Sequence, residues 1–129
     1  MKPLTHPSIE DVTVEGLLHA LSDPVRAAIY AGIAAADGAV SCSNFLQVCD
    51  RAIPKSTLSQ HFRALREAGL IRSERHGVEM RNTTRCAEIQ QRFPGLIVAI
   101  LTAHSLQAAE RAKAARRKPA AAKSRTGAG

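Results

Sequence analysis

Residues 55–77, which read KSTLSQHFRALREAGLIRSERHG, bring together hydroxyl, amide, imidazole and guanidinium side chains. Ser59 and His61 lack a neighbouring acid in the sequence that would complete a nucleophilic site. Hydroxyls, an amide and guanidinium groups instead suit hydrogen bonding to base edges and phosphates. The chain also has no carboxylate pair and no Gly-rich phosphate loop, so we predict that it is not an enzyme.

The thiols of Cys42, Cys49 and Cys86 are the other reactive groups. If Cys42 and Cys49 lay on one helix, about 10 Å would separate them, which is too far for a disulfide. Two interpretations stay open. The cysteines are small buried hydrophobes of a reducing compartment, or they sense oxidants, persulfides or soft metals.

The net charge of +7 is distributed unevenly along the 129 residues. Residues 1–50 sum to −4 and residues 51–85 to +5, while the last 19 residues contain seven Lys or Arg. A basic region that coincides with the polar stretch is the electrostatic footprint of a nucleic-acid binder. The alternative is a solvated face followed by a solubilising tail.

Length and composition predict one globular domain with a modest core. Its longest apolar run, GLIVAIL at 95–101, is far shorter than the roughly 20 residues of a membrane span. The N-terminus has no apolar signal-peptide core, so we expect a cytoplasmic protein that does not bind membranes. We predict an arm at 1–10, the domain with its dimerisation helices at 11–117, and a disordered basic tail at 118–129.

Periodicity and helix-start signals predict the first elements of the domain. Apolar residues at i, i+3, i+4 and i+7 indicate an amphipathic helix that begins near Thr13. Asp23 as the N-cap and Pro24 at the first position start a second helix, with Gly38 as its stop. A short third helix is expected over Ser43 to Asp50.

The polar stretch itself is predicted to be a helix at 55–68 that ends at Gly69 and buries Leu58, Phe62 and Leu65. Residues 70–85 form a hairpin of two short strands around a tight turn at His76-Gly77. Its basic side chains are Arg72, Arg75, Arg81 and Arg85.

A brief helix from Cys86, a break at Pro94-Gly95 and a long last helix complete the predicted series. The fold class is therefore mainly α: a winged helix-turn-helix whose wing is a two-stranded hairpin. The last helix is apolar nearly all round from Leu96 to Leu101, which favours burial against a second copy in a dimer. Burial wholly within its own chain is the alternative.

Two separated motifs, LSDPVRAAIYAGI and the stretch at 55–77, resemble the signature of ArsR-type bacterial repressors. The resemblance covers about residues 14–105. It implies a homodimer held by its first and last helices, recognition helices that read a pseudo-palindromic operator, and a ligand that weakens DNA binding. Pro54 stands where many relatives have a capping Ser, so the recognition helix is expected to begin differently here.

Carried over by position, the resemblance implies two groups of DNA-binding residues. Those that face bases or nearby phosphates are Ser56, Thr57, Gln60 and His61, and those that hold the DNA backbone are Arg63, Arg75 and Arg81. For Thr57, local bonding to the helix backbone is the alternative, and for His61 it is half-buried packing. Arg66 and Glu67 are expected to be solvated.

The metal-binding motifs of the same family are incomplete in this sequence. Relatives that bind metal through Cys-Val-Cys-Asp have a first Cys where this chain has Gln47, and only Cys49 and Asp50 are kept. On the last helix, His104 and Glu110 are in poor angular register. We therefore predict no metal site and no cofactor, and we leave open an unidentified small effector.

The function predicted from these observations is a homodimeric transcriptional repressor that binds double-stranded DNA. A protein-interaction adaptor that uses the same fold without reading DNA remains the alternative. RNA is disfavoured, because Tyr30 and three Phe are the only aromatic residues that could stack on bases.

Overall fold

The structure, a computed structural model, describes residues 4–48 and 51–128, with side chains up to residue 117. Residues Met1–Gly95 form one compact unit and Leu96–Gly129 a second. The helices are α1 (Val14–Leu21), α2 (Pro24–Ala35), α3 (Lys55–Ala68), α4 (Cys86–Arg92) and α5 (Leu96–Ala128). The strands are β1 (Val40–Ser41), β2 (Gln47–Val48), β3 (Arg51–Ala52), β4 (Ile71–His76) and β5 (Glu79–Thr84).

Local capping starts the first two helices, as the sequence predicts. The Thr13 side chain accepts a hydrogen bond from the Gly16 N–H at the start of α1. The Asp23 carboxylate accepts from the N–H groups of Val25 and Arg26, at 2.9 and 3.1 Å. With Pro24 in the first turn, these bonds fix where α2 begins. The helix ends at Ala35, three residues before the predicted stop.

The core of the first unit is built from one side each of α1, α2 and α3. Leu58, Phe62 and Leu65 of α3 are all buried, which confirms the helical spacing inferred from the sequence. Leu17 of α1 and Ile29 of α2 are also fully buried, and each such side chain contributes about 1.5–3 kcal/mol to the core. The polar face of α3 is therefore the side left to solvent.

The end of α3 depends on Gly69. Its φ of 88° is left-handed, and its N–H donates to the carbonyls of Arg66 and Leu65. The Leu70 N–H then donates to the Leu65 carbonyl at 3.0 Å, which completes a glycine-ended helix cap. The cap reverses the chain into β4, so the wing follows the recognition helix directly.

The wing is an antiparallel hairpin of β4 and β5 joined by Gly77 and Val78, with His76 opposite Glu79. Gly77 has a φ of 64°, the left-handed conformation that a two-residue hairpin connection requires. Strand β1 pairs with β5, so the sheet has three strands in the order β1-β5-β4 and not the two that the sequence predicts. Two residues are too short for a recognisable strand pattern.

The predicted third helix over Ser43 to Asp50 is wrong. A single 3-10 turn occupies Cys42–Phe45, and Gln47 and Val48 of β2 then pair with Ala52 and Arg51 of β3. Ser and Asn side chains compete for backbone hydrogen bonds and disfavour helix interiors. The Ser41 and Ser43 hydroxyls indeed bond to each other, at 3.1 Å.

The second unit is the helix α5. It leaves Val98 and Leu106 exposed, at 60% and 63% of their surface. None of the described helices is both long enough and apolar enough to cross a membrane. The proposed disordered tail at 118–129 lies where the structure gives no side chains, and it stays a prediction.

Candidate nucleic-acid interface

The outward face of α3 carries the side chains that the sequence points to. Ser56, Thr57, Gln60 and Arg63 are exposed, opposite the buried Leu58, Phe62 and Leu65. Arg63 lies 3.7 Å from Glu67 in an exposed pair of one helical turn, which is worth only a few tenths of a kcal/mol and leaves the guanidinium available. A polar, open face with one apolar side buried is the form of a helix that can enter a groove.

The first turn of α3 lacks the side-chain cap that the two earlier long helices have. Its N-cap is Pro54, and no side chain bonds to the first N–H groups. This agrees with the expectation that Pro54 changes how the helix begins. Uncapped N–H groups at a helix start, together with the helix dipole, favour an anion such as a phosphate.

His61 is half-buried at the edge of this face, near the start of α2. Burial alone would raise the pKa of Asp23, but the N–H groups of Arg26 and Val25, and then the charge of His61, hold that pKa below its usual value. The proximity to Asp23 supports the packing alternative for His61. Its contact with DNA stays a prediction.

Three of the four arginines of the wing are exposed, and Arg85 is buried. Arg75 and Arg81 are exposed, and Arg81 has only a loose, exposed partner in Glu79, at 3.8 Å. Arg72 lies 3.6 Å from Glu88, and Arg85 is only 4% exposed. The basic wing surface is therefore narrower than the sequence suggests, because Arg85 points inward.

Arg85 joins the wing to α4 and to the N-terminal segment. Its guanidinium donates to the Glu88 carboxylate at 2.8 and 3.3 Å and to the Pro7 carbonyl at 2.7 Å. The hydrogen bonds from Arg85, with smaller contributions from Arg72, hold the pKa of Glu88 below its usual value against partial burial. Charge-assisted bonds of this kind fix the base of the wing.

The described part of the predicted arm at 1–10 hydrogen-bonds to the rest of the first unit. The Ser73 N–H donates to His6 Nε2 at 3.0 Å, and Arg92 donates to the carbonyls of Ile9 and Val12. Nothing in the local sequence indicates these contacts, since the partners lie 67 to 83 residues apart. The only unusual feature of the N-terminal sequence is His6, which lies between Pro3 and Pro7.

Ser73 is the point where three elements meet. Its hydroxyl donates to Asn82 Oδ1 at 2.7 Å, and Arg66 of α3 donates to the same hydroxyl at 3.4 Å. Asn82 is fully buried and donates in turn to the Val40 carbonyl of β1, at 2.9 Å. Arg66, expected to be solvated, is thus half-buried, whereas its neighbour Glu67 is exposed.

This geometry predicts a pH dependence of folding stability. Burial, followed by the charges of Arg72, Arg66 and Arg85, lowers the pKa of His6 below its ordinary 6.5. Only neutral imidazole can accept the Ser73 N–H, and the unfolded chain binds the proton more readily. The contribution of His6 to stability should therefore be complete above pH 6.5 and should fall as the pH drops below that value.

Urea unfolding of the wild type and of His6→Ala between pH 5 and 8 measures this effect. The free energy of unfolding of the wild type should approach that of the variant as the pH falls. A constant difference across the range would contradict the proposed titration of His6.

Cys42 and Cys86 are the two cysteines within the described residues, and each contacts a different buried side chain. The Cys86 thiol lies 2.9 Å from the buried Tyr30 hydroxyl, where burial and this hydrogen bond raise the pKa of Tyr30. Cys42 accepts from Asn82 at 3.4 Å, and both thiols are free. Cys49, with Asp50, lies outside the described residues, so thiol sensing stays an untested hypothesis.

No group of three or more His, Cys, Asp or Glu side chains suited to holding a metal ion occurs within the described part of the chain. Cys49 and Asp50, the two residues of the family's metal-binding motif that this sequence keeps, lie outside the described residues, so that statement does not include them.

Comparison with known proteins matches part of this chain to a described domain. Residues 21–74, which contain α2, α3 and the start of β4, match a family model described as a helix-turn-helix domain. A solved structure, an ArsR-like transcriptional regulator from Rhodococcus sp. RHA1, is similar over 82% of this chain and 86% of that chain, with 25% identity and a TM-score of 0.49. The comparison with curated proteins found no match. Residues 21–74 thus match a helix-turn-helix domain, and the helices and hairpin of the first unit form a winged helix-turn-helix fold.

Proposed function

We propose that this protein is a homodimeric repressor that binds a pseudo-palindromic operator through α3 and the wing at 70–85. The observation that carries the proposal is the exposed polar face of α3, which lies opposite a fully buried apolar face and is followed by the exposed arginines of the wing. Hydroxyl, amide and guanidinium groups exposed on one helix face are the groups that contact base edges and phosphates, and this favours DNA binding over an adaptor role.

Within this proposal, α3 reads sequence from the major groove. Ser56, Thr57 and Gln60 are exposed over its first two turns, which is the part of a recognition helix that contacts base edges. Gln60 offers an amide that pairs bidentately with adenine. The uncapped start of α3 then meets a phosphate through its backbone N–H groups, where Pro54 leaves them without a side-chain partner.

The cationic side chains position the protein on the DNA. Arg63 at the edge of α3 and Arg75 and Arg81 on the wing contact phosphates and supply affinity without sequence information. Each phosphate neutralised releases counterions, so each arginine adds to the salt dependence of binding. Exposed partners such as Glu79 give way at little cost, because such ion pairs contribute roughly 0–1 kcal/mol.

The apolar side chains left uncovered in each unit support the proposal of a dimer. Leu18 of α1 is 50% exposed, and Val98 and Leu106 of α5 are exposed to a greater extent. Helices α1 and α5 are the two that the ArsR resemblance assigns to the dimer interface. A two-fold dimer would present two α3 helices to half-sites about 34–36 Å apart, one turn of DNA.

Two substitutions separate sequence reading from backbone contact. Gln60→Ala should relax the preference at one operator position, with a loss of roughly 1–3 kcal/mol of discrimination. Arg81→Ala should weaken binding to every sequence and reduce the salt slope by about one unit per protomer. Operators selected from genomic fragments with the purified protein supply the DNA, and fluorescence anisotropy over a salt series supplies the affinities.

The converse pattern would contradict this assignment. If Arg81→Ala altered base preference and Gln60→Ala weakened all sequences equally, the wing would be the reading element. If the wild type selected no operator and neither substitution affected DNA binding, the polar face of α3 would serve a protein partner.

A further inference from the structure

A cavity of about 400 Å³ lies between α3, the 3-10 turn at Cys42–Phe45 and the wing. Its apolar wall includes Leu46 beside that turn, Leu58 and Phe62 of α3, and Met80 of β5. The volume falls within the roughly 300–1,000 Å³ of small-molecule sites in proteins. Recognition helix and wing, the two elements proposed to hold DNA, thus share one concave surface.

Among the described residues, the charged side chains that line the cavity are all cationic. They are Lys55 and Arg66 of α3 and Arg75 of β4. An apolar wall with cations at its edge is complementary to a ligand that has an apolar body and one negative group. A neutral apolar ligand would leave these cations without a partner.

Of these three cations, Arg66 most clearly lacks an anionic partner among the described residues. Within the described residues no carboxylate lies within ion-pair distance of it, whereas Arg63 on the same helix is paired with Glu67. Among the described residues, the side-chain partner of its guanidinium is the neutral Ser73 hydroxyl, at 3.4 Å. A half-buried guanidinium has five donors, and most of those of Arg66 remain for an incoming anion.

We infer that this cavity binds a small amphipathic carboxylate, with the carboxylate on Arg66 and the apolar body against Leu58, Phe62 and Met80. Occupancy would lower DNA affinity, because the anion neutralises cations on the DNA-facing side and holds the wing in one position relative to α3. Arg75 takes part in both events, since it lines the cavity and is proposed to contact phosphate. The effect on DNA rests on the proposed function, but the binding of the ligand does not.

The test uses 2-naphthoate as the probe and 2-naphthamide as its neutral match, titrated into the full-length protein without DNA. Calorimetry gives the affinities, and amide chemical shifts in NMR spectra locate the site. Naphthoate should bind, shift the signals of residues 58–66 and 75–80, and bind about tenfold more tightly than the amide, as expected for one charge-assisted hydrogen-bonded contact.

Arg66→Gln removes the charge and keeps a hydrogen-bond donor toward Ser73, so it should abolish the advantage of naphthoate over naphthamide. Arg111→Gln makes the same charge change at an exposed position outside the cavity lining and should preserve that advantage. Arg75→Gln, at an exposed wing position in the cavity lining, provides a second variant and should reduce the advantage.

Three results would overturn the inference: no binding of naphthoate at millimolar concentration, equal affinity for the amide, or an undiminished preference in both cavity variants. Adding operator DNA separates the two proposals. Naphthoate binding with no operator found for the wild type would leave the cavity site standing and refute the proposed function, whereas DNA binding without naphthoate binding would do the reverse.

Discussion

Gly69→Ala should lower the free energy of unfolding by roughly 2–5 kcal/mol, the sum of a left-handed backbone penalty and an overpacking penalty. Gly69 has a φ of 88° at the end of α3, a conformation that costs residues with a side chain. A Cβ at this position would also collide with the Val12 side chain, which is itself buried. Urea unfolding followed by circular dichroism measures the loss.

Gly77→Ala is the matched control for this prediction. Gly77 has a φ of 64° in the wing turn, but a Cβ there would meet no atom within 4 Å. It should show only the backbone penalty of about 1–2 kcal/mol. Equal losses in the two variants would mean that the contact between Gly69 and Val12 contributes nothing, and that the N-terminal segment does not brace the end of α3.

The elements that sequence reasoning places correctly are those with local physical signals. Asp23 followed by Pro24 encodes a capped helix start, and the four-and-three spacing of Leu58, Phe62 and Leu65 encodes a buried helix face. Each of these signals acts within one or two turns of chain. The recognition helix at 55–68 and its end at Gly69 therefore follow from the sequence alone.

The features that sequence reasoning missed depend on contacts between distant segments. Strand β1 forms only because it pairs with β5. The segment after Cys42 forms a 3-10 turn and short strand pairings in place of the predicted helix. The burial of Arg85 depends on Pro7 and Glu88 closing around it. The sequence of a hairpin that contains several arginines does not indicate which of them are buried.

The candidate site shows the same division between local and distant contacts. Exposure of Ser56, Gln60 and Arg81 follows from helix and strand periodicity, whereas the cavity requires α3, the wing and the 3-10 turn to be placed together. Ser73 links these elements through Arg66 and Asn82, and through His6 it adds the N-terminal segment. A ligand on Arg66 would therefore act at the point where recognition helix, wing and N-terminal segment are joined.

Leu106→Glu should convert the proposed dimer to monomers and thereby weaken operator binding. In a two-fold interface each substitution occurs twice, and the loss of a buried Leu costs about 1.5–3 kcal/mol per copy. The dimer dissociation constant should then rise by roughly two to four orders of magnitude. The monomer itself should fold normally, because Leu106 is exposed within the single chain and Glu is a good helix former.

Gln107→Glu adds the same charge one residue further along α5, about 100° around the helix and on the side away from Val98. It should leave the dimer intact if the interface is centred on Val98 and Leu106. Sedimentation velocity at micromolar concentration measures both variants against the wild type. A wild type that sediments as a 13.8 kDa monomer would refute the dimer, and it would leave the exposed apolar face of α5 for a different protein partner.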